Sequence, residues 1–564
     1  MNSASAASWG LRSWLLLFAG FLLLGIALYR AALWGPFVSD DVAYLVANPY
    51  TSELSLANVL AMLDPWGPAK FYTANYAPLH LLLSALERQA FGDAPLGYHL
   101  VNVGVHALVG TLLVAWFRRA GAWPRAALLG GLLFIVHPAN VEAVAWASQL
   151  KTCAGLAFAL GALLALPAAP AWATLLFVLS LLTKASAGFA LPTAAAFAWL
   201  RRRRGTGWGV ERRWLAVWLF FALWIAVPQL ASFERLGPVR VEAYADSWLH
   251  LRTIAAVGAR YLVMAASGCG VSAFQEPAPA ASWLDPWWLA ALPLGAALSL
   301  RTVATLRRGA PEAGFWIAAA AGFAPVSQVF PFLSPVADRY LYFLLPGLMG
   351  GALLWAQDGL AWHELRVAGR QAGRRGAARS GALLAAVGLS AWFAFQSAQR
   401  APLWNNETLL LLDAATHTPD GTVAHFLRAR SAAQAGDVPG AVGSLRSAAA
   451  RGLDRFLSVR DDPGLAPIRE HPAFREVVRE MAGRWIATAR RRGYRTQPEL
   501  HMLALAHLER GELVEAVRAL EASLAAGGPL SGVVRDDLAL ARARLAARER
   551  SAARPDPPVA PGRD

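Results

Sequence analysis

The sequence predicts an all-α protein, a polytopic membrane bundle of about eleven helical spans followed by an α-solenoid of tetratricopeptide-like repeats. The chain of 564 residues is 56% hydrophobic and only 16% charged, whereas soluble proteins carry about 25% charged residues. Apolar runs of near-spanning length recur along its first 400 residues. Beyond Arg400 the composition shifts to Ala, Arg, Leu, Glu and Asp with helical periodicity and no spanning run.

Eleven apolar segments are predicted to cross the membrane. The first contains the run Trp14–Tyr29, and we expect a retained helix because no convincing A-x-A-like cleavage site follows it. The predicted spans are 12–30, 96–117, 126–146, 152–168, 171–185, 188–200, 214–232, 287–303, 313–331, 338–356 and 380–396.

The basic residues predict the orientation of these spans. The formal net charge is +15, but the arginines cluster in short connections between apolar segments, as the positive-inside rule expects. This pattern excludes a nucleic-acid-binding protein. With a cytoplasmic N-terminus, four groups fall on the inner side: Arg118, Arg119 and Arg125; Arg201–Arg204 with Arg212 and Arg213; Arg301, Arg307 and Arg308; and Arg366, Arg370, Arg374, Arg375 and Arg379.

Residues 250–268 are apolar enough to span but are interrupted by Arg252 and Arg260. A span here would place the loop of Arg301 to Arg308 on the outer side. We therefore expect a re-entrant or interfacial helix on the outer face.

The C-terminal region contains a weak internal repeat. Gly436, Ala441, Val442 and Leu445 align with Gly511, Ala516, Val517 and Leu520, as in helix–turn–helix units of about 34 residues. The predicted domains are therefore a membrane domain at 1–400, a repeat domain at 401–550 and a Pro-rich disordered tail at 551–564.

Two cysteines, Cys153 and Cys269, are too few for a disulfide framework or a Cys-rich metal site. Both lie in or beside apolar segments, and we expect both to be buried small hydrophobic residues.

The unusual polar residues of the membrane domain all map to the predicted outer face. Asp40 and Asp41 are adjacent carboxylates just beyond the first span, a costly placement that indicates function. The outer connections also contain His80, His99, His106, Glu142, Lys151, Lys184, Asp338 and Arg339.

Each of these residues also has a structural explanation. Asp41 could cap a helix that begins at Val42, and Lys151 and Lys184 could extend to lipid head groups. Asp338 and Arg339 could form an interfacial pair, and His99 or His106 could hydrogen-bond between helices. Their location on one membrane face favours a common site instead.

Carboxylates and cations at one pocket suit group transfer from a lipid-linked phosphate. An aspartate can remove the proton of an acceptor hydroxyl, and Lys or Arg can hold the departing phosphate. The sequence contains no P-loop, dinucleotide-binding or H-E-x-x-H zinc motif.

Six motifs occur in a characteristic order. They are F-V-S-D-D, Y-A-P-L, G-Y-H-L-V-N-V-G-V-H-A-L, H-P-A-N-V-E-A-V-A-W, L-S-L-L-T-K and A-D-R-Y-L-Y. With the repeats that follow, the chain resembles the transmembrane and tetratricopeptide-repeat-containing family over about residues 12–530. This family comprises class C glycosyltransferases (GT-C) related to the protein O-mannosyltransferases.

The resemblance implies a GT-C-like fold with a lumenal or periplasmic active site. It implies a polyprenyl-phosphate sugar donor, with mannose or another hexose, and transfer to a protein Ser or Thr hydroxyl. The pair Asp40–Asp41 would contain the base, either residue being eligible, and Arg339, Lys151 and Lys184 would be candidates to bind the donor phosphate. His80, His99, Glu142 and Asp338 are further pocket candidates.

The expected partners are the lipid-linked sugar, membrane lipid and an acceptor protein engaged by the repeats. No cofactor is required in principle, because the donor sugar is already activated, although the aspartate pair leaves room for a divalent metal. The Ala- and Arg-rich composition favours a bacterial inner-membrane protein with periplasmic repeats.

Two other classes of function remain open at this point. A non-catalytic membrane-anchored repeat scaffold for envelope protein assembly would explain the repeats but not the aspartate pair. A transporter or flippase would place charges near mid-membrane and would duplicate the span pattern, and neither feature is clear in the sequence.

Overall fold

The computed structural model describes residues 9–73, 75–205, 209–233, 246–329, 335–367 and 372–552. The regular secondary structure of these residues is entirely helical. Their only β-type pairing is an isolated bridge between Gln275 and Val336. The all-α fold class is thereby confirmed. The tail beyond Ala552 and the side chains of the last arginine group, Arg366 to Arg379, lie outside the described part of the chain.

The chain divides into two compact units, which are described separately. Unit 1 comprises residues up to 59 and 72–424, and unit 2 comprises 60–71 and 425–564. The division of the chain at residue 400 into a membrane and a repeat domain stays a prediction.

The described residues up to His417 form eighteen α-helices. They are α1 Leu11–Leu28, α2 Pro49–Ser52, α3 Leu56–Leu63, α4 Lys70–Thr73, α5 Pro78–Phe91, α6 Pro95–Arg119, α7 Pro124–Ile135, α8 Val141–Ala145, α9 Leu150–Ala165, α10 Pro170–Thr183, α11 Ala190–Arg203, α12 Gly209–Phe233, α13 Ser247–Ser267, α14 Pro286–Arg308, α15 Glu312–Phe323, α16 Asp338–Val367, α17 Ala372–Arg400 and α18 Glu407–His417.

Helix boundaries in this part follow local chemistry. Proline opens six of the described helices in this part, at a position whose N–H has no intrahelical acceptor to lose: Pro49, Pro78, Pro95, Pro124, Pro170 and Pro286. Asp246 and Asp285 cap α13 and α14 by accepting from the first backbone N–H groups. Gly268 and Gly309 end the same helices in the left-handed conformation, with φ of 69° and 66°.

Among the described residues, six helices are long and apolar enough to cross a membrane. The chain is a multi-pass membrane protein on this ground. The six helices are Leu11–Leu28, Pro95–Arg119, Ala147–Ala165, Arg212–Ser232, Pro286–Arg308 and Ser380–Asn405. A seventh candidate is the pair Pro124–Ile135 and Pro138–Ala145, bent by 49° at its break. Two further apolar helices, Pro170–Thr183 and Glu312–Val326, are shorter. The figure of eleven spans therefore stays a prediction.

Helix α13 covers the segment predicted to be re-entrant or interfacial. It is a 21-residue helix and is not among the six candidate spans. Buried Arg252 donates from Nε to Ala280 O at 3.0 Å and from Nη2 to Ala281 O at 3.1 Å. The charge that interrupts the apolar run is thus satisfied inside the protein, and the re-entrant assignment stays a prediction.

The core of unit 1 consists of closely packed helices rich in small and aromatic residues. Helix α16 packs on α15 at Gly347, where an added Cβ would lie 2.7 Å from Phe315 O. Trp116 packs on Phe315 with ring centroids 4.6 Å apart, and Phe177 stacks on Trp218 at 4.3 Å. Such contacts fix the helices that carry the candidate site.

The cysteine prediction is only half right. Cys153 is fully buried in α9, but Cys269 is exposed in the turn after α13. Cys269 lies outside the apolar helix, in a turn between Gly268 and Gly270, which both have a positive φ.

Unit 2 is also helical. It continues α19 Thr422–Gln434 from residue 425 and includes α20 Val438–Ala450, α21 Phe456–Asp461, α22 Pro472–Arg492, α23 Gln497–Glu509, α24 Leu513–Ala526 and α25 Ser531–Ala552.

The two repeat signatures fall on helix–turn–helix pairs, α19–α20 and α23–α24. Gly436 and Gly511 form the turns with φ of 75° and 73°, which favours glycine. Ala441 and Ala516 are fully buried where the second helices pack. The tetratricopeptide solenoid itself is not established by these two pairs and stays a prediction.

Candidate active site

The two aspartates lie in the connection that follows α1. The backbone enters the left-handed region at Ser39, with φ of 53°, which is costly for a residue other than glycine. A five-residue π-helical turn, Val42–Val46, then begins directly after Asp41. The two carboxylates lie between these features, and the fold buries Asp41 but leaves Asp40 partly exposed.

Asp41 is fully buried and bound to the backbone. Its Oδ2 accepts from Val38 N at 3.1 Å, and its Oδ1 accepts from Ser148 N at 2.7 Å. The side chain makes no hydrogen bond to the turn that it precedes, so the alternative that Asp41 is a helix cap is wrong. Burial raises the pKa of Asp41 to about 7, against the opposing effect of these two hydrogen bonds.

Asp40 is partly exposed, unlike its neighbour. Its charge interacts with those of Lys151 and Arg339. Both carboxylates interact with the charge of Lys151, but of the two only Asp40 is partly exposed and interacts with Arg339 as well.

The two lysines lie at the adjacent ends of α9 and α10. Lys151 Nζ lies 4.0 Å from the ring centroid of Tyr44, a cation–π arrangement. Lys184 Nζ donates to Thr152 Oγ1 at 2.6 Å, and Thr152 in turn donates to Gln149 Oε1 at 2.7 Å. Both ammonium groups are thus directed into the protein, and the alternative that they extend to lipid head groups is wrong.

Arg339, near the start of α16, is paired with Glu142 of α8. The Glu142 carboxylate accepts from Arg339 N at 2.7 Å and forms a salt bridge with the Arg339 guanidinium. Glu142 is 2% exposed. Because the backbone and the side chain of Arg339 are held by one carboxylate, the guanidinium has a fixed position beside Trp146, whose ring centroid is 5.5 Å away.

Asp338 belongs to a different network from Arg339, so the interfacial pair between these neighbours is wrong. Asp338 Oδ1 accepts from Ser272 N at 3.1 Å and from Gln275 Nε2 at 2.8 Å. Its Oδ2 lies 3.8 Å from Arg400 Nη2. This buried carboxylate ties the 268–277 loop to the ends of α16 and α17.

The histidines divide into two groups. His106 connects three helices, with Nδ1 2.9 Å from Tyr342 Oη and Nε2 3.2 Å from Ile135 O, as the interhelical alternative expected. His99 is buried beside the backbone of Gly35 and Ala145, close to the aspartate connection. His80 is fully buried, and burial together with the charges of Lys151 and Lys184 holds its pKa well below the usual value.

A polar stripe on α5 was not identified from the sequence. His80, Ser84 and Glu87 share one helical face, at i, i+4 and i+7, and all three are buried. Their side-chain polar atoms have no hydrogen-bond partner among the described residues. Burial, followed by the charge of Asp41, raises the pKa of Glu87 to about 9. The spacing H-x-x-x-S-x-x-E is the signal by which this stripe could have been found.

Asp40, Asp41, His80, Glu142, Lys151, Lys184 and Arg339 therefore form one electrostatically connected cluster. Across the part of the chain that the structure describes, no three His, Cys, Asp or Glu side chains are arranged to hold a metal ion. A cluster with cations flanking a carboxylate can bind an anionic group and accept a proton from a neighbouring hydroxyl.

Comparison with known proteins gives matches to several protein O-mannosyl-transferases. The chain is 38% identical over 131 residues to protein O-mannosyl-transferase Tmtc1 of Drosophila melanogaster, which covers 22% of this chain and 15% of that protein. It is 32% identical over 128 residues to TMTC4 of Homo sapiens, covering 20% and 17%, and 34% identical over 129 residues to TMTC2 of Mus musculus, covering 22% and 15%. The chain is TMTC-like.

The TMTC-like resemblance predicted from the ordered motifs is thereby confirmed. The matched part spans only 15% to 17% of the length of these three relatives. No protein-family model matches the chain, and no solved structure matches it significantly.

Proposed function

We propose that this protein is a membrane glycosyltransferase that transfers a monosaccharide from a polyprenyl-phosphate donor to a hydroxyl acceptor. The TMTC relatives are named protein O-mannosyl-transferases, which supports a glycosyl transfer. The observation that carries the proposal is a partly exposed carboxylate, Asp40, whose charge interacts with those of Lys151 and Arg339. This arrangement combines a base for the acceptor with cations for the leaving group.

Asp40 is the general base in this mechanism. Its carboxylate takes the proton of the acceptor hydroxyl, whose oxygen forms a bond to the anomeric carbon of the donor sugar. The bond between that carbon and the phosphate oxygen breaks, and the lipid phosphate leaves with the bonding electrons. A single displacement of this kind inverts the configuration at the anomeric carbon.

Arg339, Lys151 and Lys184 stabilise the departing phosphate. Negative charge builds on the phosphate oxygens as the sugar is transferred, and preorganised cations bind this state more strongly than the ground state. Glu142 holds Arg339 in place, and Thr152 holds Lys184. These contacts reduce the reorganisation that binding would otherwise require.

Asp41 is a positioning residue. Both its oxygens are engaged by backbone N–H groups, so it is poorly placed to reach a substrate. By linking Val38 to Ser148 it sets the connection that presents Asp40 and joins it to the segment that carries Lys151.

The site opens, in this proposal, at the periplasmic or lumenal membrane face of a multi-pass protein with about eleven spans and a cytoplasmic N-terminus. For a bacterial source the membrane is the inner membrane. The donor sugar is mannose or another hexose, the acceptor is a protein Ser or Thr, and the helical repeats engage the acceptor protein. The reaction needs no cofactor, because the donor phosphate ester supplies the driving force.

The test uses purified full-length protein with labelled polyprenyl-phosphate mannose and extracted periplasmic protein. We expect Asp40→Asn to reduce transfer by at least about 10²-fold at unchanged thermal stability. Asp41→Asn should lower both the transfer rate and the thermal stability. The amide oxygen can still accept a hydrogen bond from one backbone N–H, but the amide NH2 group cannot accept from the other. Asp93→Asn, a control at an exposed carboxylate in the next connection, should leave transfer unchanged.

Full activity of Asp40→Asn together with an inactive, well-folded Asp41→Asn would reverse the two roles. Full activity of both variants would overturn the mechanism. Failure of the wild-type protein to use any polyprenyl-phosphate monosaccharide would overturn the proposed function itself.

A further inference from the structure

A cavity of about 250 Å³ lies in unit 1, away from the aspartate cluster. It is formed where the C-terminal ends of α6, α9 and α11 meet. The lining residues that matter here are Arg119, Ala120, Arg201 and Arg204, together with the apolar residues Trp116, Leu166 and Leu200.

This cavity is at the opposite membrane face from the candidate active site. Helix α6 passes the aspartate connection at His99 and reaches the cavity at Arg119. Its 25 residues correspond to about 37 Å at 1.5 Å per residue, enough to cross the hydrocarbon core of about 30 Å. Helix α9 likewise begins beside Lys151 and ends at the cavity. Helix α11 begins after Lys184 and also ends at the cavity.

The cavity has an apolar interior and a cationic mouth. Trp116, Leu166 and Leu200 are buried residues of its wall. Arg119 and Arg204 are exposed, whereas Arg201 is partly buried. No acidic side chain contributes to the described lining.

One of the guanidinium groups is fixed by the fold. Arg119 Nη1 donates to Leu164 O at 2.7 Å, which anchors the side chain at the end of α9. No Asp or Glu lies among the described residues that line the cavity, so no carboxylate of this lining neutralises the Arg119 guanidinium. An arginine whose charge is not neutralised by an acid attracts an anion.

We propose that this cavity binds one anionic phospholipid. The phosphate diester contacts Arg119, Arg201 and Arg204, and an acyl chain packs on the wall that contains Trp116, Leu166 and Leu200. Three guanidinium groups above an apolar wall, at a bilayer surface, complement an amphiphile with a negative head. The site is independent of the proposed transfer reaction, which takes place at the other face.

The test measures binding to the full-length protein purified in neutral detergent. Phosphatidylglycerol, phosphatidylcholine and inorganic phosphate are titrated separately, and occupancy is read by native mass spectrometry together with the thermal unfolding midpoint. We expect one saturable phosphatidylglycerol and a rise in the midpoint, because a ligand that binds only the folded state stabilises it. Phosphatidylcholine and inorganic phosphate should bind at least about tenfold more weakly, a difference of about 1.4 kcal/mol.

Matched variants distinguish lipid binding in the cavity from nonspecific attraction to surface charge. Arg201→Gln should weaken phosphatidylglycerol binding at least about tenfold, since it removes a charge-assisted hydrogen bond to the phosphate. Arg202→Gln removes the same charge from the next residue, which does not line the cavity, and should have no effect. Ala120→Trp keeps every arginine and fills the partly exposed cavity mouth, and should also weaken binding; its unfolding midpoint without lipid reports on folding.

Three results would overturn the proposal. Equal loss in Arg201→Gln and Arg202→Gln would indicate surface electrostatics alone. Equal binding of inorganic phosphate and phosphatidylglycerol would indicate a simple anion site. Absence of saturable phosphatidylglycerol binding to the wild type would exclude the lipid site, whatever the transferase assay shows.

Discussion

Glu87 illustrates how an apolar environment decides the ionisation state of a single residue. It is 6% exposed, and neither carboxylate oxygen has a partner among the described residues. Burial and the nearby charge of Asp41 raise its pKa to about 9. Glu87 is therefore protonated at neutral pH in the folded protein and ionised in the unfolded chain.

This difference predicts a pH dependence of stability. Between the unfolded pKa of about 4.3 and the folded pKa of about 9, the folded state holds one proton more than the unfolded state. The free energy of unfolding should fall as pH rises through this window, by at most about 1.4 kcal/mol per pH unit from this residue, and should level off above it.

Glu87→Gln, which mimics the neutral acid, tests this expectation. Thermal unfolding of both proteins between pH 5 and 10 should show a smaller decline for the variant. Glu499→Gln, at a buried glutamate that caps α23 and accepts from Thr496 N at 3.0 Å, is a control that should keep the decline of the wild type. Parallel curves for wild type and Glu87→Gln would show that Glu87 is ionised in the fold.

The two adjacent aspartates show how neighbours in sequence acquire different roles. Asp41 is enclosed by backbone donors at Val38 and Ser148, whereas Asp40 remains partly exposed near Lys151. The left-handed conformation at Ser39 accompanies this divergence. The proposed base and the residue proposed to position it therefore occupy successive positions.

At the scale of elements, the contact of α15 with α16 depends on glycine. A Cβ at Gly347 would lie 2.7 Å from Phe315 O and 2.8 Å from Ala319 Cα. Because these are backbone atoms, the helices can accommodate the added methyl group only by moving apart. Helix α16 begins with Asp338 and Arg339, so its displacement would reach the candidate site.

We expect Gly347→Ala to destabilise the protein by about 1–3 kcal/mol, the usual cost of overpacking, and to reduce transfer activity as well. Gly359→Ala is the matched control in the same helix, because an added Cβ there has no atom within 4 Å; it should be neutral or stabilising by up to about 1 kcal/mol. Thermal unfolding in detergent measures both. Equal midpoints for the two variants would contradict close packing at Gly347.

At the scale of the whole molecule, labelling of the exposed Cys269 can show on which side of the membrane the candidate site lies. Ser272, three residues later, donates to Asp338 at 3.1 Å, which places the Cys269 turn at the same end of the bundle as Arg339. The other cysteine, Cys153, is fully buried. The chain therefore has one reactive thiol in its described part.

With the proposed orientation, a membrane-impermeant maleimide added to intact spheroplasts should label Cys269 of the wild type but not Cys269→Ser. Adding Arg202→Cys to the Cys269→Ser background places the thiol at the opposite face, where labelling should require permeabilisation. The reverse pattern of labelling would invert the topology and place the candidate site in the cytoplasm.

The sequence by itself determined the helical class, the membrane character and the TMTC-like resemblance. These properties follow from local composition, from periodicity and from the order of short motifs such as F-V-S-D-D, none of which needs long-range contacts. The turns at Gly436 and Gly511 were predictable for the same reason, since a positive φ is a local demand. The number of spans was not, because length and hydropathy leave helices of 14 or 15 residues undecided.

Only the tertiary structure decided what each polar residue contacts. The sequence could place Glu142, Lys151 and Arg339 on one membrane face, but the pairing of Glu142 with Arg339 joins residues 197 apart in the chain. The sequence also could not show that Asp338 and Arg339 bind different partners, or that Asp40 and Asp41 differ in burial. Neighbouring residues share the same local composition and hydropathy. Burial and hydrogen bonding are set by the other helices that surround each side chain, and these are known only once the bundle is packed.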